Sequence, residues 1–297
     1  IGSGLVGSEM CIRDRYEELF LLHKMTMFEM DLWMSMAYFI EQQVDYCIIE
    51  AGMGGRLDAT TALDYKACLI TNVGLDHTEY LGDTFEQIAY EKSGVFKPNV
   101  PALTTEDKPE CQKVMELVAD YMKTPLCFID CQETDVLRWN GMTFHLNPPL
   151  YQAKNLSLAL ETLNVLGIWL EENEIQQVID HFQWAGRYMV LRKDPLVLLD
   201  GAHNVHGITA LIQSLKDFTG KIYFSVLKEK DAPHMIELLQ SISKDITLVE
   251  ISSARLYPLE ELGYPIITVD ELISRLLDTK EDSLLCGSLY YVGEVLE

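Results

Sequence analysis

The apolar residues of this chain fall into two patterns that alternate along its length. Short, nearly uninterrupted apolar runs such as ACLITNV and PLVLLD are typical of strands that are buried on both faces of a sheet. The run VHGITALIQSLKDF instead carries its apolar residues at helical spacing. Because strands and helices take turns, the pattern predicts an α/β fold with largely parallel sheets.

Residues 16–185 are predicted to form a sheet with helices, followed by a hairpin and two further helices. The expected order is the helix MTMFEMDLWMSMAYFIEQQ, the strands VDYCIIE and ACLITNV, the helix TFEQIAYEKSG, a strand at PALTT and the helix PECQKVMELVADYMK. In LRWNGMTFHL, the dipeptide Asn140-Gly141 is a strong signal for a tight turn between antiparallel strands. The helices YQAKNLSLALETLNVLG and EIQQVIDHFQ complete this part.

Residues 186–297 repeat the alternation and predict a second, complete unit of the Rossmann-like type. Its expected elements are PLVLLD, the helix after Asn204, KIYFSVL, PHMIELLQSI, DITLVEIS, ELISRLLDT and SLLCGSLYY. We therefore expect a domain boundary between residues 185 and 186.

Polar residues follow two of the predicted strands at the point where each strand ends. Glu50 ends VDYCIIE and precedes a glycine-rich turn, and Gly74, Asp76 and His77 follow ACLITNV. The carboxyl ends of parallel strands meet at the edge of the sheet where ligands bind. Carboxylate oxygen is a preferred ligand of hard cations such as magnesium. The sequence therefore predicts a polar cluster for a metal ion and a phosphate at this edge.

Each of these residues also has a purely structural interpretation. Glu50 would accept hydrogen bonds from the N–H groups of the glycine turn, and His77 would bond to a neighbouring carbonyl group. Lys92 lies in the last turn of TFEQIAYEKSG, a helix with a capping-box pattern at Thr84 and Gln87, so its charge would complement the helix dipole. Taken alone, Lys92 favours that structural role.

The spacing of several motifs changes this balance. The run Glu-x-Gly-Met-Gly-Gly-Arg-Leu-Asp-Ala-Thr is followed by Ile-Thr-Asn-Val-Gly-Leu-Asp-His-Thr, Leu-Gly and Glu-Lys-Ser-Gly, and further on by Asp-Gly-Ala-His-Asn. This series resembles the signature of folylpolyglutamate synthases and dihydrofolate synthases, which belong to the Mur ligase superfamily. The motifs occur in the family's order and extend over nearly the whole chain.

The resemblance implies an ATP-dependent amide ligase. In this family ATP phosphorylates a carboxylate of a reduced folate or dihydropteroate, and the amine of L-glutamate displaces the phosphate. By resemblance, Glu50 would bind the magnesium ion that holds the ATP phosphates, and His77 a second magnesium ion. Lys92 would carry a carbamate, which requires bicarbonate or carbon dioxide. The chain would be monofunctional or bifunctional, and the sequence leaves both open, as it leaves open a requirement for K⁺ or another monovalent cation.

The same resemblance assigns a nucleotide site to the later part of the chain. Asp200 and His203 of DGAHN would contact ATP, Arg187 would bind the phosphates and Asn155 would lie beside the adenine. An arginine suits phosphate because its converging donors match the oxygens. The structural alternatives are a surface ion pair for Arg187 and a helix N-cap for Asp200.

The family's phosphate-binding string Gly-x-x-Gly-Lys-Ser/Thr does not occur in this sequence. The first residues, up to residue 15, have no continuity with the family pattern and resemble translated adapter sequence. We therefore expect a truncated P-loop-type Mur ligase central domain over residues 16–185 and a Rossmann-like carboxyl-terminal domain. We also expect poor ATP binding and no turnover by this chain on its own.

Composition narrows the class of partner. The 297 residues carry a net charge of −23, which argues against nucleic acid and anionic membranes as partners. No apolar stretch approaches the roughly 18 residues that a membrane span needs. The seven cysteines lack metal-ligand spacing and indicate a reducing, cytoplasmic setting. By resemblance, we expect a monomer that binds small molecules.

Two other functions stay open at this level. One is another Mur-type amino-acid ligase, although the GGRLDAT and DGAHN forms favour folate. The other is a non-catalytic remnant that binds nucleotide or folate weakly. The retained Glu50, His77 and Lys92 argue against a remnant, since a protein without catalysis has no chemical need for them.

Overall fold

The computed structural model describes residues 3–132, 134–147, 149–215 and 217–297, which form an α/β fold as predicted. The chain divides into two compact units after Ile129. The boundary that the sequence predicts at residues 185–186 stays a prediction. None of the helices in the described ranges has the length and apolar character that crossing a membrane requires.

The first unit contains a three-stranded parallel sheet in the order β1-β2-β3. Its strands are β1 (Cys68–Ile70), β2 (Ala102–Thr104) and β3 (Leu126–Phe128). Its helices are α1 (Ser3–His23), α2 (Met27–Gln42), α3 (Thr78–Leu81), α4 (Phe85–Ser93) and α5 (Pro109–Met122), with a 3-10 helix at Ala59–Ala62. The apolar faces of α4 and α5 pack on the sheet around Ile88, Phe96 and Met115.

The predicted ends of α4 are confirmed. The Thr84 side chain accepts the Gln87 N–H, the Gln87 side chain accepts the Thr84 N–H, and Gly94 is the C-cap. This capping fixes where the helix begins and ends. As a result, Lys92 lies in its last turn, as the sequence predicts.

The prediction of a strand at residues 44–50 is wrong. Within the described residues these seven pair with no strand, and β1 is the outer strand of its sheet. The Ile48 side chain is 95% exposed. An apolar run becomes a strand only where a neighbouring strand satisfies its backbone N–H and C=O groups, and the pattern of a single segment contains no information on that neighbour.

The second unit begins with a hairpin and two helices. The hairpin strands are β4 (Val136–Trp139) and β5 (Met142–His145), joined by Asn140 and Gly141, which both have positive φ as the predicted turn requires. The helices α6 (Gln152–Val165) and α7 (Glu172–His181) follow and pack on this hairpin.

A six-stranded sheet in the order β10-β9-β8-β11-β7-β6 forms the rest of the second unit. Its strands are β6 (Met189–Lys193), β7 (Leu196–Leu199), β8 (Lys221–Phe224), β9 (Ile246–Glu250), β10 (Ile266–Thr268) and β11 (Ser283–Cys286). Its helices are α8 (Val205–Ser214), α9 (Ala232–Leu239), α10 (Val269–Asp278) and α11 (Leu289–Leu296), with a 3-10 helix at Leu259–Leu262. All neighbouring pairs are parallel except β6 with β7.

Both faces of this sheet are covered, which explains the continuous apolar runs of its inner strands. Leu198 belongs to the core on one face, whereas Val197 and Leu199 belong to the core on the other. β11 lies between β7 and β8, so the strand order reverses there, and Asp200 follows β7 directly. Ligands of open α/β sheets bind outside the carboxyl ends of strands at such a reversal.

Candidate active site

The glycine-rich loop after Glu50 packs directly on the carboxyl end of α4. The Arg56 N–H donates to the Glu91 carbonyl oxygen at 2.8 Å. A Cβ atom on Gly55 would lie 2.8 Å from the Lys92 carbonyl oxygen, and one on Gly94 would lie 2.1 Å from the Arg56 Cα atom. Such close backbone approach is open only to glycine. The loop is therefore held against the helical turn that carries Lys92.

Replacing Gly94 by alanine should consequently destabilise the protein. Because the added methyl group meets backbone atoms rather than a flexible side chain, we expect a loss of about 1–3 kcal/mol in the free energy of unfolding. The matched control is Gly293→Ala in α11, where a Cβ atom meets nothing within 4 Å. That change should be neutral or stabilise by about 0.5–1 kcal/mol. Urea unfolding followed by circular dichroism measures both, and equal stability of the two variants would contradict this packing.

Side chains reinforce the same junction. The Arg56 guanidinium forms a two-pronged ion pair with Glu91, with N–O distances of 2.9–3.2 Å, and lies 5.7 Å from the ring centre of Tyr90. The Asp58 carboxylate accepts the N–H groups of Met53 and Thr60, both at 3.0 Å. Burial would raise the pKa of Asp58, but these hydrogen bonds lower it overall. Asp58 therefore stays ionised and keeps the loop closed on itself.

Lys92 is the half-buried centre of the polar cluster in the first unit. Burial lowers the pKa of its ammonium group, and the negative charges of Asp76 and Glu50 oppose that effect. The structure thus brings Glu50, Asp76 and Lys92 of the predicted polar cluster together. A lowered pKa increases the fraction of neutral amine, which is the form that reacts with carbon dioxide.

His77 lies next to this cluster at the start of α3. Its backbone has a φ of 50°, and its backbone N–H donates to the Asp76 carboxylate at 2.9 Å. The His77 residue is exposed to solvent. Within the part of the chain that the structure describes, no group of three or more His, Cys, Asp or Glu side chains is arranged to hold a metal ion. The predicted role of His77 as a metal ligand therefore stays a prediction.

In the second unit, Asp200 is almost completely buried and organises the DGAHN turn. Its carboxylate accepts the N–H groups of Tyr188 and Ala202, both at 2.7 Å. The Gly201 N–H donates to the Gly186 carbonyl oxygen at 2.7 Å. These bonds tie the DGAHN turn to the Ala-Gly-Arg turn. The predicted alternative of a helix N-cap belongs instead to Asn204, whose side chain accepts the Gly207 N–H at 2.7 Å.

The other predicted nucleotide residues lie around these two turns. Arg187 is exposed, and its charge acts on Asp200 and on Tyr151, the N-cap residue of α6. The His203 Nδ1–H donates to the Gly201 carbonyl oxygen at 2.8 Å. Asn155 lies one helical turn after Tyr151, on the same face of α6. Arg187, Asp200 and His203 thus come together, with Asn155 on a neighbouring helix.

Burial raises the pKa of Asp200 above its ordinary value of 3.8, while the hydrogen bonds from Tyr188 and Ala202 and the charge of Arg187 oppose this. A carboxyl group whose pKa is raised on folding contributes most stability in its protonated form, and that contribution is lost as pH rises through the folded-state value. The stability of the wild-type protein relative to Asp200→Asn should therefore fall as pH rises above 3.8, the ordinary pKa of the group. Urea unfolding at increasing pH checks it, and a relative stability that grows with pH would contradict it.

Sequence reasoning placed Asp76 in the polar cluster, because it follows a predicted strand, but gave it no separate role. It missed Tyr151, which had no signal in the sequence. Burial, together with the charge of Asp200, raises the pKa of its hydroxyl group, while Arg187 lowers it. The Tyr151 hydroxyl group therefore remains neutral and can donate a hydrogen bond near Arg187 and Asp200.

Comparison with known proteins identifies the family. Residues 15–146 match the Mur ligase middle domain. A dihydrofolate synthase/folylpolyglutamate synthase of Buchnera aphidicola from Acyrthosiphon pisum is 32% identical over 297 residues, covering 92% of this chain and 71% of that protein. The chain belongs to this family. Its members are ATP-dependent ligases that add glutamate to folates, so the predicted ligase class is confirmed, while the acyl-phosphate route stays a prediction.

Solved structures of the family share the fold. A bifunctional folylpolyglutamate synthase/dihydrofolate synthase with Mn, AMPPNP and L-glutamate bound has a TM-score of 0.80 and 26% identity, covering 92% of this chain and 71% of that one. Escherichia coli FolC in complex with DHPP and ADP has a TM-score of 0.77 and 27% identity, covering 92% of this chain and 70% of that one. Both structures therefore resemble this chain over nearly its whole length.

Proposed function

We propose that the protein encoded by this sequence adds L-glutamate to a folate carboxylate in an ATP-dependent reaction that passes through an acyl phosphate. The observation that carries the proposal is the cluster in which Glu50 and Asp76 act on Lys92 at the ligand edge of a parallel sheet, in a chain of this ligase family. Such chemistry depends on positioning the substrates and on neutralising phosphate charge. The residues Glu50, Asp76 and Lys92, and separately Arg187, Asp200 and His203, are suited to these tasks.

Glu50, His77 and Lys92 would bind the metal ions, as the sequence predicts, and Asp76 would join them because its charge acts on Lys92. Two carboxylates suit a hard cation, and a Lys92 carbamate would add a further anionic oxygen. Magnesium, when bound, would neutralise charge on the phosphate oxygens. A related enzyme was crystallised with Mn and AMPPNP, which supports a divalent cation here. The carbamate is part of the proposal, and the need for a monovalent cation is left open.

The nucleotide would be held by the residues around the DGAHN turn. Arg187 would bind the phosphates, Asp200 and His203 would contact the nucleotide, and Asn155 would lie at the adenine. Asp200 contributes mainly by fixing the turn, because both of its oxygens already accept backbone N–H groups. Arg187 interacts electrostatically with Asp200. Because Arg187 is also exposed, its guanidinium is available to bind a phosphate.

The substrates would be ATP, L-glutamate and a reduced folate or dihydropteroate. Bound L-glutamate in one related structure and DHPP in another support both halves of that choice. The six cysteines other than Cys11 are free thiols, which supports a reducing cytoplasm. The monomeric state expected from the sequence stays a prediction.

Release of ADP tests the proposal. The protein expressed from its complete reading frame is incubated with ATP, magnesium and a folate substrate, and L-glutamate is added last. We expect ADP only when folate and L-glutamate are both present. ADP released equally with D-glutamate or L-lysine would instead support another Mur-type ligase. No ADP under any combination, from a folded protein, would leave the non-catalytic interpretation.

A further inference from the structure

A buried carboxylate lies at the ligand edge of the first sheet and belongs to none of the motifs above. Glu106 follows β2 closely, and its side chain is fully buried. It accepts the backbone N–H of Val73, which follows β1, and the backbone N–H of Lys108 at 2.8 Å. Glu106 thus joins the loops that leave two neighbouring strands.

Lys108 completes this connection. Its ammonium group lies 3.2 Å from the Glu106 carboxylate and donates to the Val73 carbonyl oxygen at 2.9 Å. The same group lies 5.3 Å from the ring centre of Phe85 in α4. Both backbone groups of Val73 are therefore bonded to one ion pair. Thr105 adds a further bond, from its hydroxyl group to the Thr71 carbonyl oxygen at 2.7 Å.

A buried ion pair in this position is not expected to stabilise the fold more than apolar side chains would. Taking the Glu106 carboxylate fully out of water, and Lys108 largely so, costs free energy that their attraction need not recover. Apolar side chains of similar size often stabilise as well or better. The pair does fix the conformation of the loop, because its donors and acceptors hold the Val73 backbone and the neighbouring Thr105 bond holds Thr71. Asp76 lies three residues further on, and its charge acts on Lys92.

We propose that Glu106 and Lys108 are positioning residues that hold the loop over residues 71–77 so that Asp76 faces Lys92. They touch neither the nucleotide nor the metal in this assignment, and they act through the loop. The part of the inference that concerns metal affinity rests on the proposed function. The part that concerns the loop does not.

The first test measures amide hydrogen exchange of the metal-free protein. Glu106→Gln should speed exchange at residues 73–77 by about tenfold or more, since one buried backbone bond and the charge that orients Lys108 are lost. Glu116→Gln, an exposed carboxylate in α5, is the matched control and should leave exchange unchanged. Unchanged exchange at residues 73–77 in a folded Glu106→Gln protein would overturn the proposal.

The second test measures Mn²⁺ affinity by electron paramagnetic resonance, which a merely structural role in a folded protein would not move. Supporting residues around metal ligands typically change affinity by about 10- to 100-fold, so we expect a rise in Kd of at least about tenfold for Glu106→Gln. Lys108→Met should act in the same direction, and it keeps the test available if Glu106→Gln fails to fold. Wild-type affinity in either folded variant would overturn the positioning role.

The two proposals fail in distinguishable ways. If the wild-type protein binds no Mn²⁺, or if Glu50→Gln leaves its affinity unchanged, the proposed metal site is wrong. The exchange measurement still decides whether Glu106 holds the loop. If Glu50→Gln weakens Mn²⁺ binding and Glu106→Gln does not, the metal site stands and the positioning role is wrong.

Discussion

Replacing Lys92 by methionine is expected to lower kcat for glutamate addition by about 10²–10³-fold, the loss typical of removing one group that stabilises transition-state charge. The physical reason is the position of the side chain. Lys92 is half-buried, the charges of Asp76 and Glu50 act on it, and it lies in a turn that the glycine loop holds in place. Its loss removes the positive charge that offsets these two carboxylates close to an anionic substrate.

Two further variants distinguish a role of the Lys92 charge from a role of its carbamate and provide a control. Lys92→Arg keeps a positive charge but cannot form a carbamate, so it should lose as much activity as Lys92→Met. Lys113→Met removes an exposed lysine from α5 and should retain wild-type kcat. Steady-state ADP release from the complete reading frame measures all three. An Arg variant with near-wild-type kcat would show that charge alone matters and would contradict the carbamate.

Replacing Arg187 by methionine is expected to raise the Kd for ATP or AMPPNP by tenfold or more, since hydrogen bonds to charged groups are worth about 1.5–3 kcal/mol where they are shielded from water. The guanidinium is exposed beside Asp200, on a turn that the Gly201–Gly186 hydrogen bond fixes. It is therefore presented to solvent in a defined position.

Arg187→Lys tests whether the fork geometry matters in addition to the charge. A single ammonium group gives up the paired hydrogen bonds, so its Kd should lie between those of the wild-type and Met proteins. Arg275→Met, an exposed arginine in the last turn of α10, is the control and should bind nucleotide normally. Isothermal titration calorimetry of the proteins expressed from the complete reading frame provides the values. If Arg187→Met and Arg275→Met bind equally well, Arg187 is a surface ion-pair residue.

The features that sequence predicts well here are those encoded within a few residues. The capping box of Thr84 and Gln87 and the stop at Gly94 together place Lys92 in the last turn of α4. The Asn140-Gly141 turn likewise fixes the register of its hairpin. In each case the deciding interactions join residues close in sequence, so the local pattern contains them.

The features that sequence misses depend on partners far along the chain. Residues 44–50 read as a strand, yet strand formation requires a neighbour that the run itself does not specify. Glu106 reads as an ordinary acidic residue in a loop, and its function as an anchor arises from Val73, which is 33 residues away in sequence. Tyr151 gains its place beside Asp200 only through folding of the second unit. Burial of a polar group depends on tertiary structure, so the pattern of apolar and polar residues in the sequence does not predict it.

The measurement that tests ligation through an acyl phosphate most directly is the fate of the oxygen atoms of the folate carboxylate. Substrate labelled with ¹⁸O in that carboxylate is converted by the protein from its complete reading frame with ATP, magnesium and L-glutamate, and the inorganic phosphate is analysed by mass spectrometry. Attack of the carboxylate on ATP followed by displacement with glutamate predicts one ¹⁸O atom in phosphate for each amide formed. Amide formation with unlabelled phosphate, or no amide at all, would contradict the account.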